Sequence, residues 1–230
     1  MTSDAGETTV TQAFFVTGTD TEVGKTYVSA MLLKAAVMAG KRAIGYKAVA
    51  AGCEWYNGQW QNEDALALQQ ASNVELTLKE VNPVALEPAI APHIAAELAS
   101  QPISEAVIKS GFDHLLNKQA DVLLMEGAGG WRLPIGNQRF LSDVVKALQL
   151  DVIIVVGMRL GCLNHALLTA EAVTADGLKI KGWVANTLTA DMPYFNENLA
   201  TLEQLMPAPR LATIPYQSAP DFAALGELFN

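Results

Sequence analysis

Short apolar runs recur along the chain, separated by segments whose apolar positions return every three or four residues. The runs predict strands at Ala13–Thr17, Ala43–Val49, Val122–Glu126, Val152–Gly157, Gly182–Asn186 and Leu211–Ile214. Several are apolar at successive rather than alternate positions, the mark of strands covered on both faces. Helical spacing predicts helices over Lys25–Met38, Asp64–Ala71, Ser104–Lys118, Ser142–Leu148, Asn164–Ala175 and Tyr194–Met206. Strand, helix and strand in repetition define an α/β fold, an open, mostly parallel sheet with helices on both faces. Gly40 stands where a helix-ending glycine belongs, and Ser142-Asp143 can cap the helix that follows them. Asn82–Pro102, with four prolines, is the least regular stretch and reads as a surface excursion carrying one short helix. Trp55 and Trp60 flank Asn57-Gly58 in a hairpin-like turn, with a packing role expected for both indoles. No linker or repeat divides the chain, so a single domain is expected over residues 13–230, behind a flexible polar tail, residues 1–12.

Composition narrows the function. The 230 residues are 50% hydrophobic and 17% charged, which supplies a large core and excludes intrinsic disorder. Fifteen basic against 24 acidic residues leave a net charge of −9. Such a surface repels nucleic acid and anionic lipid, and Lys41-Arg42 is the only adjacent basic pair. Cys53 and Cys162 form no Cys-x-x-Cys pair and read as inert thiols in a reducing compartment. The first residues show no export signal, and the longest apolar run, Val152–Met158, falls far short of the ~20 residues of a membrane helix. A cytoplasmic protein is expected. His93, His114 and His165 lack the spacing of a zinc site, and His165 is expected to make a structural bond at a helix start.

The sharpest chemical signal is Gly18-Thr-Asp-Thr-Glu-Val-Gly24-Lys25-Thr26, after an apolar strand and before a helix. Successive backbone N–H groups in such a loop, with the helix dipole behind them, cradle phosphate oxygens. Lys25 supplies a point charge for the outer phosphates, and the Thr26 hydroxyl can ligate Mg²⁺. Position 19, usually glycine in this motif, is Thr19, so the stretch between the two glycines is one residue longer. Glu126 closes an apolar strand and precedes Gly127-Ala128-Gly129-Gly130, which puts a carboxylate in the crevice where open α/β sheets bind ligands. Asp64 opens a helical segment, either as a metal ligand or as a first-turn acid facing the dipole. Lys47 interrupts an apolar strand and must either reach water or meet an anion; beside the phosphate loop, an anion is favoured.

Taken in order, these motifs resemble the dethiobiotin synthetase family of P-loop ATPases over nearly the whole chain. The resemblance is carried by Gly18–Thr26, Gly45-Tyr-Lys47, Asn62-Glu-Asp64-Ala-Leu-Ala-Leu-Gln69 and Glu126-Gly-Ala-Gly-Gly-Trp131. Gly161-Cys-Leu-Asn-His-Ala166 and Gly182-Trp-Val-Ala-Asn186 complete it, and the longer loop with Thr19 is typical of the family. It implies a homodimeric Mg-ATP enzyme that joins 7,8-diaminononanoate and CO₂ into the ureido ring of dethiobiotin, in biotin biosynthesis. The implied route runs through a carbamate and a carbamic-phosphoric anhydride, releasing ADP and phosphate. The substrate supplies the nucleophile, so the absence of a Ser/His/Asp or Cys/His arrangement is consistent.

The same resemblance assigns residues. Lys47, Lys25 and Thr21 serve the reacting groups, and Thr26, Asp64 and Glu126 gather around Mg²⁺. The nucleotide touches Glu22, Val23, Gly24, Lys25, Thr26 and Tyr27, then Asp64 and the tract Glu126, Gly127, Ala128, Gly129. Its base meets Asn186 and Thr187, followed by Pro215, Tyr216, Gln217 and Asp221. The diamine lies against Thr21, Lys47, Ala51 and Gly129, with its distal carboxylate at Gly161, Cys162, Leu163 and Asn164 of a neighbouring subunit. Two positions depart from the family pattern. Ala48 replaces a proline, and Ala51 replaces a serine or threonine whose hydroxyl contacts substrate, which predicts weaker diamine binding by one hydrogen bond, about 0.5–1.5 kcal/mol. A nucleotide-switch ATPase and a small-molecule kinase are the competing functions. The switch is disfavoured because Thr17-Gly18-Thr19 carries no second lysine at the start of the loop.

Overall fold

The computed structural model describes residues 10–230. Strand β1 (Gln12–Gly18) runs into α1 (Lys25–Met38) and β2 (Ala43–Lys47). Short strands β3 (Val49–Ala51), β4 (Glu54–Tyr56) and β5 (Gln59–Gln61) precede α2 (Glu63–Ala71), α3 (Leu78–Val81), β6 (Val84–Leu86), α4 (Pro92–Leu98) and α5 (Glu105–Leu116). Next come β7 (Val122–Gly130), β8 (Pro134–Gly136), β9 (Arg139–Phe140), α6 (Leu141–Leu148) and β10 (Asp151–Met158). The chain ends through α7 (Cys162–Ala175), β11 (Ile180–Thr187), α8 (Phe195–Leu205), β12 (Arg210–Ile214) and α9 (Phe222–Gly226).

Six strands form a parallel sheet in the order β12-β11-β10-β1-β7-β2. Its central strands are buried at successive positions, as Val152–Met158 shows, so both faces are covered and the α/β expectation holds. One continuous apolar core runs from Phe14 and Phe15 through Leu124 and Ile153 to Trp183 and Phe229. Gly45 lets this core close, because an added Cβ would meet Leu33 of α1 and Leu68 of α2, each at 2.8 Å. Among the described residues no helix is long and apolar enough to cross a membrane.

Several boundaries differ from the sequence expectation, each for a local reason. The strand expected over Ala43–Val49 divides: Ala43–Lys47 pairs with β7, whereas Val49–Ala51 leaves the sheet to pair with β6. Glu126 does not end its strand. β7 continues to Gly130, with the small residues absorbing an irregularity: Val16 pairs Glu126, and Gly18 then pairs Gly130. The helix expected from Asn164 begins at Cys162, because Gly161 (φ 94°) serves as its N-cap. Ser142 lies inside α6, and Asp143 alone caps the start of that helix, accepting the Phe140 N–H at 2.9 Å. Asn82–Pro102 holds the expected short helix, α4, but also β6, and it buries Val84, Leu86, Ala95 and Ala96 rather than lying on the surface. Residues 1–9 of the expected tail lie outside the described residues; Thr11 is held by its hydroxyl bond to Ala120 O (2.7 Å), and Gln12 opens β1. The Trp55–Trp60 hairpin forms with an edge-to-face contact at 5.3 Å around Asn57-Gly58, both of positive φ.

Candidate active site

The carboxyl ends of β1, β7 and β2 converge on the loop between β1 and α1. Thr19 N–H bonds Val155 O (3.0 Å), which tethers the loop to β10. Glu22 (φ 58°) and Gly24 (φ 81°) take the left-handed backbone that turns successive amides inward. Gly24 is required twice over, since an added Cβ would also lie 2.2 Å from Asn186 Nδ2. That amide donates to Val23 O (2.9 Å), so Asn186 braces the underside of the loop.

Opposite the loop lies a buried charge cluster. Lys47 Nζ, with the residue only 2% exposed, donates to Glu126 Oε1 (2.7 Å), Asp64 Oδ2 (2.8 Å) and Gly127 O (3.1 Å). Thr26 Oγ1 donates to the same Glu126 Oε1 (2.8 Å). Asp64 is therefore more than a first-turn acid, although it also sits in the first turn of α2 behind the Asn62 cap. Burial pushes the Lys47 ammonium down, but Glu126 and Asp64 together outweigh it and hold its pKa above the ordinary value. For Asp64, burial pushes the carboxyl up, and the Lys47 ammonium more than reverses this, leaving it low. Lys25 lacks such partners: burial first, and the Lys47 charge second, lower its pKa to about 8. Its ammonium rests on Asp20 O (3.0 Å). Two adjacent lysines thus differ in kind, one locked in an ion-pair network and one held ready for an anion.

A cavity of about 690 Å³ joins these parts. It brings together the expected Thr21, Glu22, Gly24, Lys25, Thr26, Tyr27, Lys47, Ala51, Asp64, Ala128 and Gly129, with Ala89–Pro92 forming the opposite wall. Glu126 lies beneath the floor, Gly127 contributes its carbonyl to Lys47, and Val23 is buried under the loop. A second cavity of about 730 Å³, at the ends of β11 and β12, holds Thr187, Pro215 and Tyr216. Gln217 turns beside it with φ 48°, and its Nε2 donates to the Tyr216 hydroxyl (3.1 Å). Asp221 instead caps α9, accepting the N–H groups of Ala223 and Ala224. Gly161, Cys162, Leu163 and Asn164 line neither cavity; Cys162 is buried, and Gly161 and Asn164 face outward.

Glu126 Oε2 is buried and has no partner. An unpaired carboxylate oxygen in the interior is costly. Together with the Thr26 hydroxyl, bonded to the other Glu126 oxygen, and Asp64, which shares Lys47 with it, the oxygen-donor set fits a divalent cation that completes its shell with phosphate oxygens and water. Among the described residues no group of three or more His, Cys, Asp or Glu could hold a metal, so the described side chains offer no all-protein cage of that kind. Sequence reasoning missed several supporting residues. Asn62 caps α2 and donates to Ala51 O (3.2 Å), a role its place before a helix could have revealed. Asn82 Nδ2, buried, holds Lys47 O (2.7 Å), and Arg159 pairs with Asp20; neither pairing leaves a local signal. His165 shows no side-chain bond at the start of α7, whereas His114 pairs with Glu80 at 2.8 Å.

A family model described as an AAA domain matches residues 12–222. The ATP-dependent dethiobiotin synthetase BioD of Alteromonas mediterranea is 59% identical over 215 residues, covering 89% of this chain and 92% of that protein. Its namesake from Cellvibrio japonicus is 52% identical over 204 residues, 89% of each chain. Among solved structures, the MinC:MinD cell division protein complex of Aquifex aeolicus superposes with a TM-score of 0.57 at 14% identity, covering 94% of this chain and 86% of that one. The septum site-determining protein MinD of Pyrococcus horikoshii, complexed with Mg-ADP, gives a TM-score of 0.54 at 19% identity, covering 94% and 95%. At such identity these two structures show a common fold and nothing more. From the family match and the relatives together, the chain belongs to the AAA domain family and is a member of the ATP-dependent dethiobiotin synthetases.

Proposed function

We propose that this protein uses ATP and Mg²⁺ to carboxylate 7,8-diaminononanoate with CO₂ and close the ureido ring of dethiobiotin, with ADP and phosphate as the other products. The observation that carries the reading is the Lys47 ammonium, buried against Glu126 and Asp64 beside the phosphate loop. The reaction must bring two anions together, a carbamate made when one amine takes up CO₂ and the γ-phosphate of ATP. Cations on both sides are what such a step demands. Lys25 reaches the phosphates from the loop, and Lys47 meets the carbamate from the end of β2. The carbamate oxygen attacks phosphorus, and the second amine then closes the ring as phosphate leaves. Thr21 and Gly129 lie side by side in the lining of the cavity where these groups meet.

Thr26, Glu126 and Asp64 are the residues that would hold Mg²⁺, which when bound neutralises phosphate charge. In the free protein Lys47 pairs with the buried Glu126 and the half-exposed Asp64, so the Glu126 charge is not left alone in the interior before substrates arrive. The cavity of Thr187, Pro215 and Tyr216 is the proposed base site, with Gln217 at its edge, Asn186 bracing the phosphate loop and Asp221 fixing the adjoining segment through α9. Tyr27 joins the two regions by donating its hydroxyl to Ser218 O (3.3 Å).

The active unit is proposed to be a homodimer of single domains spanning residues 13–230, in the cytoplasm. The buried free thiols of Cys53 and Cys162 suit a reducing compartment. Gly161–Asn164 lies away from its own chain's cavity, beside the almost fully exposed Leu160, which supports its use by a neighbour's substrate carboxylate. Ala51 lines the cavity without a hydroxyl and Ala48 is buried, so the diamine loses one contact while the reaction is unchanged. The test is ADP release with Mg-ATP, bicarbonate and diamine, each omitted in turn. All three are expected to be required; equal release without diamine or bicarbonate would overturn the proposal and favour a nucleotide switch.

A further inference from the structure

The anion-binding loop holds two acids, Asp20 and Glu22, and of these Asp20 is the one with an ion-pair partner among the described residues. Three bonds hold it. Its Oδ1 accepts the Thr21 N–H (2.8 Å), its carbonyl accepts the Lys25 ammonium (3.0 Å), and its Oδ2 accepts Arg159 Nη2. Asp20 therefore shapes the loop at two places that the chemistry uses, Thr21 and Lys25. Arg159 lies 139 positions away, just past the end of β10. Its backbone is engaged as well: Arg159 O accepts the Cys162 N–H (3.0 Å), closing the turn that opens α7. No other cation is bonded to the Asp20 carboxylate among the described residues.

We propose that Arg159 is a positioning residue for nucleotide binding. Its guanidinium cancels the Asp20 carboxylate and holds it where that carboxylate can orient Thr21 and, through the Asp20 carbonyl, Lys25. Without Arg159, Asp20 becomes a free anion beside the triphosphate tail, and its hold on the loop turns from help to hindrance. The pair is half-exposed, so its effect on fold stability is small; its effect on an incoming polyanion is larger, because repulsion replaces a neutral pair. The inference rests on the phosphate-loop reading above.

Calorimetric titration of the folded, full-length protein with Mg-ADP and Mg-ATP tests both ideas separately. If the wild type binds neither nucleotide, the phosphate-loop reading fails, and this inference with it. If it binds, Arg159→Gln is expected to weaken binding about five- to tenfold, and Arg159→Lys to restore most of it. Asp20→Asn in the Arg159→Gln background is expected to recover affinity, since the uncompensated charge is then removed. The loss should show as a raised KM for ATP, with kcat changed less than twofold, and should shrink in high salt. Arg159→Gln binding as tightly as wild type, or a double variant no better than Arg159→Gln alone, would overturn the assignment. A thermal transition unchanged in all variants guards against a merely structural effect.

Discussion

The two sides of β1 carry opposite kinds of site. Toward β7 and β2, the groups are charged and buried: Glu126 is 0% and Lys47 2% exposed, and each is fixed by several bonds. Toward β11 and β12, the cavity is lined by uncharged or exposed side chains, and Tyr216 is 41% exposed. The contrast matches what the proposed function asks of each side. A step that forms and breaks bonds between anions needs its cations in place beforehand, out of water, where their fields are strong. Holding a neutral base needs only a shaped surface with a few polar contacts.

That contrast can be broken by experiment. The largest effect is expected from Lys47→Met: single-turnover product formation should fall by about 100-fold or more, while Mg-ADP affinity stays within about threefold. An unchanged rate would remove Lys47 from the reacting centre. A smaller change is expected across β1, where Tyr216→Ala should raise the KM for ATP about threefold and leave kcat alone; a fall in kcat instead would mean that the base site also sets the phosphates.

The smallest effect concerns the support beneath the charged side. Trp131 Nε1 and Arg132 Nη1, immediately after the Glu126–Gly130 tract, both donate to Asp176 Oδ2, at 2.8 and 2.6 Å. Burial pushes the Asp176 carboxyl up, but bonds from Arg132 and Trp131 more than offset it, so its pKa lies below the ordinary value of 3.8. A carboxyl lowered on folding stabilises the protein above its unfolded pKa, and that stability is lost as pH falls through the folded one. The Tm gap between wild type and Asp176→Asn should therefore be widest near neutral pH and close below about pH 4. A gap that does not change with pH would mean the clamp acts by shape alone.

How far the sequence reached depends on where each cause lies. Apolar runs reported the sheet, because burial on both faces writes itself into consecutive residues such as Val152–Val156. Motif order located Lys25, Lys47, Asp64 and Glu126, which the fold gathers around one cavity or directly beneath its floor. What stayed hidden was set by partners far along the chain. Nothing around Val49 says that it will turn to pair Val84, nothing around Asn186 says that its amide will hold Val23 O, and Asp20 carries no local trace of Arg159. The start of α7 leaves no side-chain signal, because Gly161 caps it with a left-handed backbone alone.

The placing of β1 between β7 and β10 has a consequence for the order in which the molecule comes into being. Phe14 must find both Leu124 and Asp151 before its strand is flanked, so the earliest-made strand waits for some of the later ones. Such distant pairings make folding slow. On the ribosome, the loop that follows β1 therefore emerges early but has no walls until β7 and β10 have been translated and docked on either side of that strand.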